Sequence, residues 1–187
     1  MNLKEMKQKV TRLIEEASTD TNKITDDPDI ALKLNDVINQ VMFEMARMKK
    51  IPDYVEIPVK ENGLIRFEDI KTATDKEVYQ LDIVRGIEFE YKAEGTIIKA
   101  LEDGIAEIEY FRYPERIKDD TDDDTYVFEL SDDALECMPC GIAADLLKSD
   151  VSNAYGNVYA QRYQQMKQEL DPRYNMGGIY IEGGVNI

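Results

Sequence analysis

The chain has 187 residues, 43% hydrophobic and 33% charged, enough for a domain with its own core and too apolar for wholesale disorder. It contains no histidine, which excludes Ser-His-Asp and Cys-His catalysis, histidine zinc ligation and histidine pH switching. With 39 acidic against 23 basic residues the net charge is −16, a poor balance for gripping phosphates but one that keeps DNA from sticking to a surface it passes.

In chain order, residues 2–17 read as an amphipathic helix with Leu3, Met6, Val10, Leu13, Ile14 and Ala17 on one face. The polar run "STDTNKITDD" makes a loop. Asp27 followed by Pro28 is a cap and first-turn proline. A second helix carries Ile30, Leu34, Val37, Ile38, Val41, Met42 and Met45 on to about Met48. Arg47, Lys49 and Lys50 cluster at its end. Cations favoured by the helix dipole explain that cluster better than a phosphate site does.

From residue 54 to 113 the chain turns to short runs rich in Val, Ile, Tyr and Phe, which predict five or six strands. "KENGLI" places Asn62-Gly63 as a hairpin turn between "YVEIPV" and "LIRFEDI". Asp103-Gly104 repeats the device between "GTIIKAL" and "IAEIEYFRY". The expectation is an antiparallel sheet folded into a small sandwich or barrel.

"KDDTDDDT" follows, without the glycine and distant glutamate of a calcium loop, and reads as a solvated acidic linker. Ser131 caps the next helix, which Pro139 should break or sharply kink. A second segment is expected over 141–148. In a third, Tyr155, Tyr159, Tyr163, Met166 and Leu170 share one face, until Pro172 ends it. Given the acidity, that stripe reads as core or subunit contact and not as a base-stacking platform. The last residues, "YNMGGIYIEGGVNI", predict an arm bearing one short strand, suited to adding to a partner's sheet edge.

Cys137-x-x-Cys140 asks for a chemical reading. A thioredoxin-like pair opens a helix after a strand, but "SDDALE" places a helical turn upstream of Cys137. A closed zinc site needs four ligands, which two cysteines and no histidine cannot supply. Small apolar packing at a helix elbow is the better reading. Glu15-Glu16 and Asp132-Asp133 are sequence neighbours and split across helix faces, so neither forms a catalytic dyad. No apolar segment suggests a secretory signal or a membrane span, so both thiols are expected to stay reduced.

The pattern around the cysteines is more informative. A strand ending in Tyr113-Pro114, an acidic loop, "LSDDAL", Pro139, "IAADLLKSD" and a Tyr-bearing helix closing at Tyr163 follow in order. "IALKLNDVINQVMFEMA" precedes the β segment. Over residues 28–172 this resembles the head–tail connectors of tailed bacteriophages, the adaptor proteins of the phage neck. The resemblance implies an α+β fold. Residues 1–50 and 131–172 would form a helical bundle, 51–118 an inserted antiparallel β-sandwich or barrel-like sheet, 119–130 an acidic linker and 173–187 an extended C-terminal arm. It implies a structural virion protein with no reaction and no cofactor, made in the host cytoplasm and placed in the neck. A ring, usually of twelve subunits, would dock beneath the portal protein, receive stopper or tail proteins, and pass DNA through its channel. The arm residues Tyr174, Ile179, Tyr180, Ile181 and Val185 would engage the portal, and Tyr155, Tyr159 and Tyr163 the neighbouring subunit. Two other readings stand beside it: another neck or tail component, such as a stopper or tail-completion protein, or a cytoplasmic ligand-binding module built on the β insertion.

Overall fold

A computed structural model describes residues 1–20, 23–148 and 154–170. Helix α1 spans Leu3–Leu13. Its N-cap Asn2 and Glu5 form a reciprocal pair: Asn2 Oδ1 accepts the Glu5 N–H at 2.8 Å, and the Glu5 carboxylate accepts the Asn2 N–H at 3.0 Å. Leu3, Met6 and Val10 face the core. The helix stops short of residue 17, and Glu15 turns left-handed at φ 63°.

Helix α2, Pro28–Met48, starts where the sequence marks it. Asp27 Oδ1 accepts the N–H groups of Asp29 and Ile30, and the proline occupies a position whose N–H is not needed. Leu34, Ile38, Val41, Met42 and Met45 form its buried stripe.

The insertion contains strands β1 (Ile51–Val59), β2 (Leu64–Arg66), β3 (Val78–Arg85), β4 (Phe89–Lys92), β5 (Ile97–Ala100) and β6 (Gly104–Arg112). They form two small antiparallel sheets, ordered β1-β6-β3 and β2-β5-β4, and no closed barrel. The two expected hairpins are absent. Asn62-Gly63 and Asp103-Gly104 each carry the chain from one sheet to the other. β1 pairs with β6 (Val59 opposite Gly104) and β2 with β5 (Leu64 opposite Lys99), an equal step along both chains. One register therefore runs through two bent arms. The turns are laced together: the Asn62 N–H donates to the Ala100 carbonyl at 2.8 Å, and the Glu61 N–H to Asp103 Oδ1 at 2.7 Å. A turn dipeptide reports a reversal of direction only when its flanks pair with each other, and here tertiary pairing takes the strands elsewhere.

A second correction lies beside it. "FEDI", read as the end of the strand "LIRFEDI", instead opens helix α3, Phe67–Thr74. The Arg66 N–H donates to Asp69 Oδ2 at 2.7 Å, and Asp75 at φ 57° closes the C-terminus. Ile70 is fully buried, and its burial contributes about 2–3 kcal/mol, enough to hold a short helix on the sheets.

Helix α4 spans Asp132–Leu147 without interruption, so Pro139 does not break it into two segments. The missing proline N–H costs one hydrogen bond, and burial of Leu135, Cys137, Met138, Ile142 and Ala143 around it outweighs that loss. Helix α5 is Ala154–Leu170. α4 packs against α1, α2 and α5. Their core includes Leu3, Met6, Ile38, Met42, Met138 and Ile142, while Val55, Ile65, Ile70, Ile98, Ile108 and Tyr110 form a second core inside the insertion.

The acidic segment is docked on α1. The Leu3 and Lys4 N–H groups donate to the carbonyls of Tyr126 (3.1 Å) and Asp123 (3.0 Å), which satisfies the open donors of α1's first turn. Lys7 pairs with Asp123 at 2.8 Å and Lys4 with Asp124 at 3.0 Å, and Phe128 and Leu130 are buried. These aspartates serve as partners for α1, a role that their density in the sequence does not reveal.

Candidate docking surfaces

The helical part and the insertion meet at two consecutive residues at the end of β6. Arg112 donates from Nε to Asp53 at 2.7 Å, and from its two terminal nitrogens to the Glu129 carboxylate at 2.9 and 2.7 Å. Glu129 holds the guanidinium protonated, and Arg112 in turn keeps the Glu129 carboxyl below its ordinary value. The Tyr113 ring lies between Phe43 and Tyr79, with centroids 5.0 and 4.9 Å away, and its hydroxyl accepts from Arg47 Nε at 2.6 Å. The Tyr79 hydroxyl donates to the Ala46 carbonyl at 2.9 Å. The end of α2 is thus stitched to the exit of the insertion.

The three cations at that helix end are all engaged within the chain. Arg47 holds Tyr113, Lys49 pairs with Asp133 at 2.7 Å, and Lys50 sits 4.3 Å over the Phe111 ring. Nothing in this arrangement forms a phosphate cradle.

The tyrosine stripe is divided. Tyr163 is buried in its own chain, packed on Gly141, and its hydroxyl donates to Glu44 at 2.8 Å. Burial, with Glu44 adding to it, pushes its phenol upward. The Tyr159 hydroxyl donates to the Leu13 carbonyl at 2.6 Å, tying α5 to the end of α1. Tyr155 stands 66% exposed. Of the three tyrosines it is the most exposed to solvent. Helical spacing alone could not separate them, because the α5 face divides between the intrachain core and solvent. Tyr174, Ile179, Tyr180, Ile181 and Val185 lie outside the described residues.

Cys137 and Cys140 are free thiols, both buried. Burial, then Asp133, pushes the Cys137 thiol up to about 11, and burial also raises Cys140. Neither is poised as a nucleophile. Among the described residues no group of three or more Cys, Asp or Glu side chains could hold a metal ion. No described helix is long and apolar enough to cross a membrane.

The outer face of β1-β6-β3 carries an exposed mixture of apolar and acidic side chains. Glu56 lies directly opposite Glu107, and Tyr54 opposite Glu109. The Tyr54 hydroxyl donates to Glu56 at 2.8 Å. That hydrogen bond and the surrounding carboxylates push the phenol up to about 12. Sequence reasoning passed over this face, although the alternation of "DYVEIP" with "IAEIEYF" encodes it. It also missed Asn39 and Arg112, whose partners are distant in sequence. No family model matches the chain, and neither does any curated protein.

Proposed function

We propose that the protein is a head–tail connector of a tailed bacteriophage, a structural neck adaptor that forms a ring beneath the portal and lets DNA pass through its channel. The observation that carries this reading is the chain order: two helices, a β insertion, then two helices that close back on the first two. The sparse residues of the resemblance fall at joints of that order. Tyr113 sits at the exit of the insertion, Ser131 and Asp132 at the start of α4, and Tyr163 in the helical core.

In this reading the four helices are the ring-forming bundle, and the insertion, with its two sheets sharing one core, is a sandwich-like projection. A net charge of −16 on each subunit gives the ring an acidic lumen through which DNA slides without being held. Twelve subunits is the ring size that the resemblance implies. The partners are the portal on one side and stopper or tail proteins on the other. The arm at 173–187 is the portal-binding element.

Negative-stain imaging tests this. Portal rings from the same phage are mixed with full-length protein and with a truncation ending at Pro172. Full-length protein should add a layer beneath the portal, and the truncation should not. A layer with both refutes the role of the arm and leaves the adaptor standing. No layer with either removes the adaptor reading and favours a binding module.

A further inference from the structure

Asn62-Gly63 carries the chain from one sheet of the insertion to the other and has no part in the reading above. The turn is closed by the Gly63 N–H, which donates to the Lys60 carbonyl at 2.8 Å. Asn62 stands in the left-handed region at φ 63°, which asparagine tolerates better than most side chains. Position 63 needs a glycine, because a Cβ there would lie 2.7 Å from Val59 Cγ2 and 2.8 Å from the Lys60 carbonyl oxygen. The fold thus imposes on this exposed turn the one Asn-Gly pair of the sequence.

That pair is also chemically the most reactive one for an asparagine, since glycine has no side chain to hinder attack by its own amide nitrogen on the preceding carboxamide. Four hydrogen bonds stand in the way. The Gly63–Lys60 bond occupies the attacking N–H itself. The Asn62 N–H donates to the Ala100 carbonyl at 2.8 Å, the Ala100 N–H to the Gly63 carbonyl at 2.9 Å, and the Glu61 N–H to Asp103 Oδ1 at 2.7 Å. These three fix the backbone on both sides of the reacting atoms.

We propose that Asn62 is a site of spontaneous deamidation, reached only when the joint between the two sheets opens. In the open turn the Gly63 amide gives its proton to solvent base, and its nitrogen bonds to Asn62 Cγ. The Cγ–Nδ2 bond breaks, ammonia leaves, and a five-membered succinimide remains. Water then opens the ring. Cleavage of the nitrogen's bond to Cγ leaves aspartate in an ordinary peptide, and cleavage at the main-chain carbonyl leaves isoaspartate. Nothing is oxidised or reduced: an amide and a water become a carboxylate and ammonium.

The product works against closure. Isoaspartate lengthens the main chain by one carbon at the point where both sheets share a register, so the paired bonds to Ala100 cannot both reform. Asn62 Nδ2 donates to Glu61 at 3.3 Å, and the new carboxylate opposes Glu61 instead. Asp103-Gly104, the facing pair, is kept out of this chemistry. The Glu61 N–H and Lys60 hold Asp103 ionised, and a carboxylate offers no leaving group.

Full-length protein incubated at mildly alkaline pH, native and in guanidinium chloride, tests the proposal. Peptide mass spectrometry follows conversion at Asn62, and labelling by isoaspartyl methyltransferase follows the branched product. Native protein should convert about a hundredfold more slowly than unfolded chain. Hydrogen exchange at the Gly63 N–H should be slowed by the same factor, because one opening exposes both. Asp103→Ala removes the partner of Glu61 and Lys60 and should convert about tenfold faster than wild type while circular dichroism shows it folded. If that variant unfolds, the wild-type comparison of exchange with conversion decides alone. Equal rates in native and unfolded chain, or slowing factors that disagree, overturn the joint as the control. A folded Asp103→Ala protein that converts like wild type does the same. Conversion of another asparagine ahead of Asn62 in the unfolded chain overturns the site.

Discussion

Asn39 is 3% exposed and makes two hydrogen bonds to one residue: Nδ2 donates to the Ile117 carbonyl at 2.8 Å, and Oδ1 accepts the Ile117 N–H at 2.9 Å. It pins the segment leaving the insertion to the middle of α2. Asn39→Ala removes both bonds and leaves a buried donor and a buried acceptor facing a void. Each bond contributes about 1 kcal/mol net, and a buried group left unpaired costs about 1–3 kcal/mol. The bonds share one side chain, so the two losses do not add in full. Better helix propensity returns a few tenths of a kcal/mol. The expected loss is about 3 kcal/mol, a large share of the roughly 5–15 kcal/mol that stabilises an ordinary domain. Urea unfolding followed by tyrosine fluorescence and circular dichroism measures it. With a slope of about 2 kcal/mol/M the midpoint should fall by about 1.5 M. Asn39→Asp supplies a control with a distinct signature. The introduced carboxylate accepts from the N–H but opposes the carbonyl, which raises its folded pKa above the unfolded value of about 4. Its penalty should be full above the raised pKa and fade as pH falls toward the unfolded one. A loss below about 1 kcal/mol for the alanine variant would refute the reasoning, because it would mean that water satisfies Ile117.

Other substitutions read different parts of the fold. Gly141→Ala should destabilise by about 1–2 kcal/mol although alanine favours helix, because its Cβ would lie 2.9 Å from the Tyr163 ring. Pairing it with Tyr163→Leu should make the two losses clearly less than additive in the same unfolding assay, and strict additivity removes the contact as the cause. Arg112 holds the Glu129 carboxyl below its ordinary 4.5, so the stability it contributes is present above that pH and lost as pH falls through the lower folded value. Glu129→Gln should flatten the pH dependence of unfolding over about pH 3–5, and an unchanged slope counts against the clamp. Native protein should leave Cys137 almost unalkylated by iodoacetamide at pH 8, where a thiol at about 11 is one part in roughly a thousand ionised, and urea should expose it. Native alkylation at the rate of a free thiol contradicts the burial.

The parts of the fold legible in the sequence are those governed by neighbours in the chain. Asp27-Pro28 places the start of α2 because cap and proline act within three residues, and the stripe from Leu34 to Met45 is a pure periodicity signal. Strand positions were readable for the same reason. Pairing was not. Asn62-Gly63 and Asp103-Gly104 look like hairpin turns, yet the partners of β1 lie 45–61 residues onward and those of β2 31–35. α3 escaped because its N-cap is Arg66, its capping carboxylate comes from Asp69, and a single buried isoleucine gives no period. Pro139 misled in the other direction: a lone missing donor is outweighed when the turns around it are buried on every side. At the candidate surfaces the types of residue were visible, but the division of the tyrosines between core and solvent depends on where α1 and Glu44 lie. The acidic segment read as solvated because its lysine partners are more than a hundred residues upstream.

The register at the base of the insertion has a practical consequence. The chain departs at Ile51 and returns at Arg112, and these residues face each other across the first rung of the β1-β6 ladder. Paired Cα atoms are about 5 Å apart, a gap that a two-residue turn spans. The sixty residues between are therefore a cassette: lifted out and replaced by a short loop, or exchanged for a longer one, they would leave the threading of the four helices unchanged.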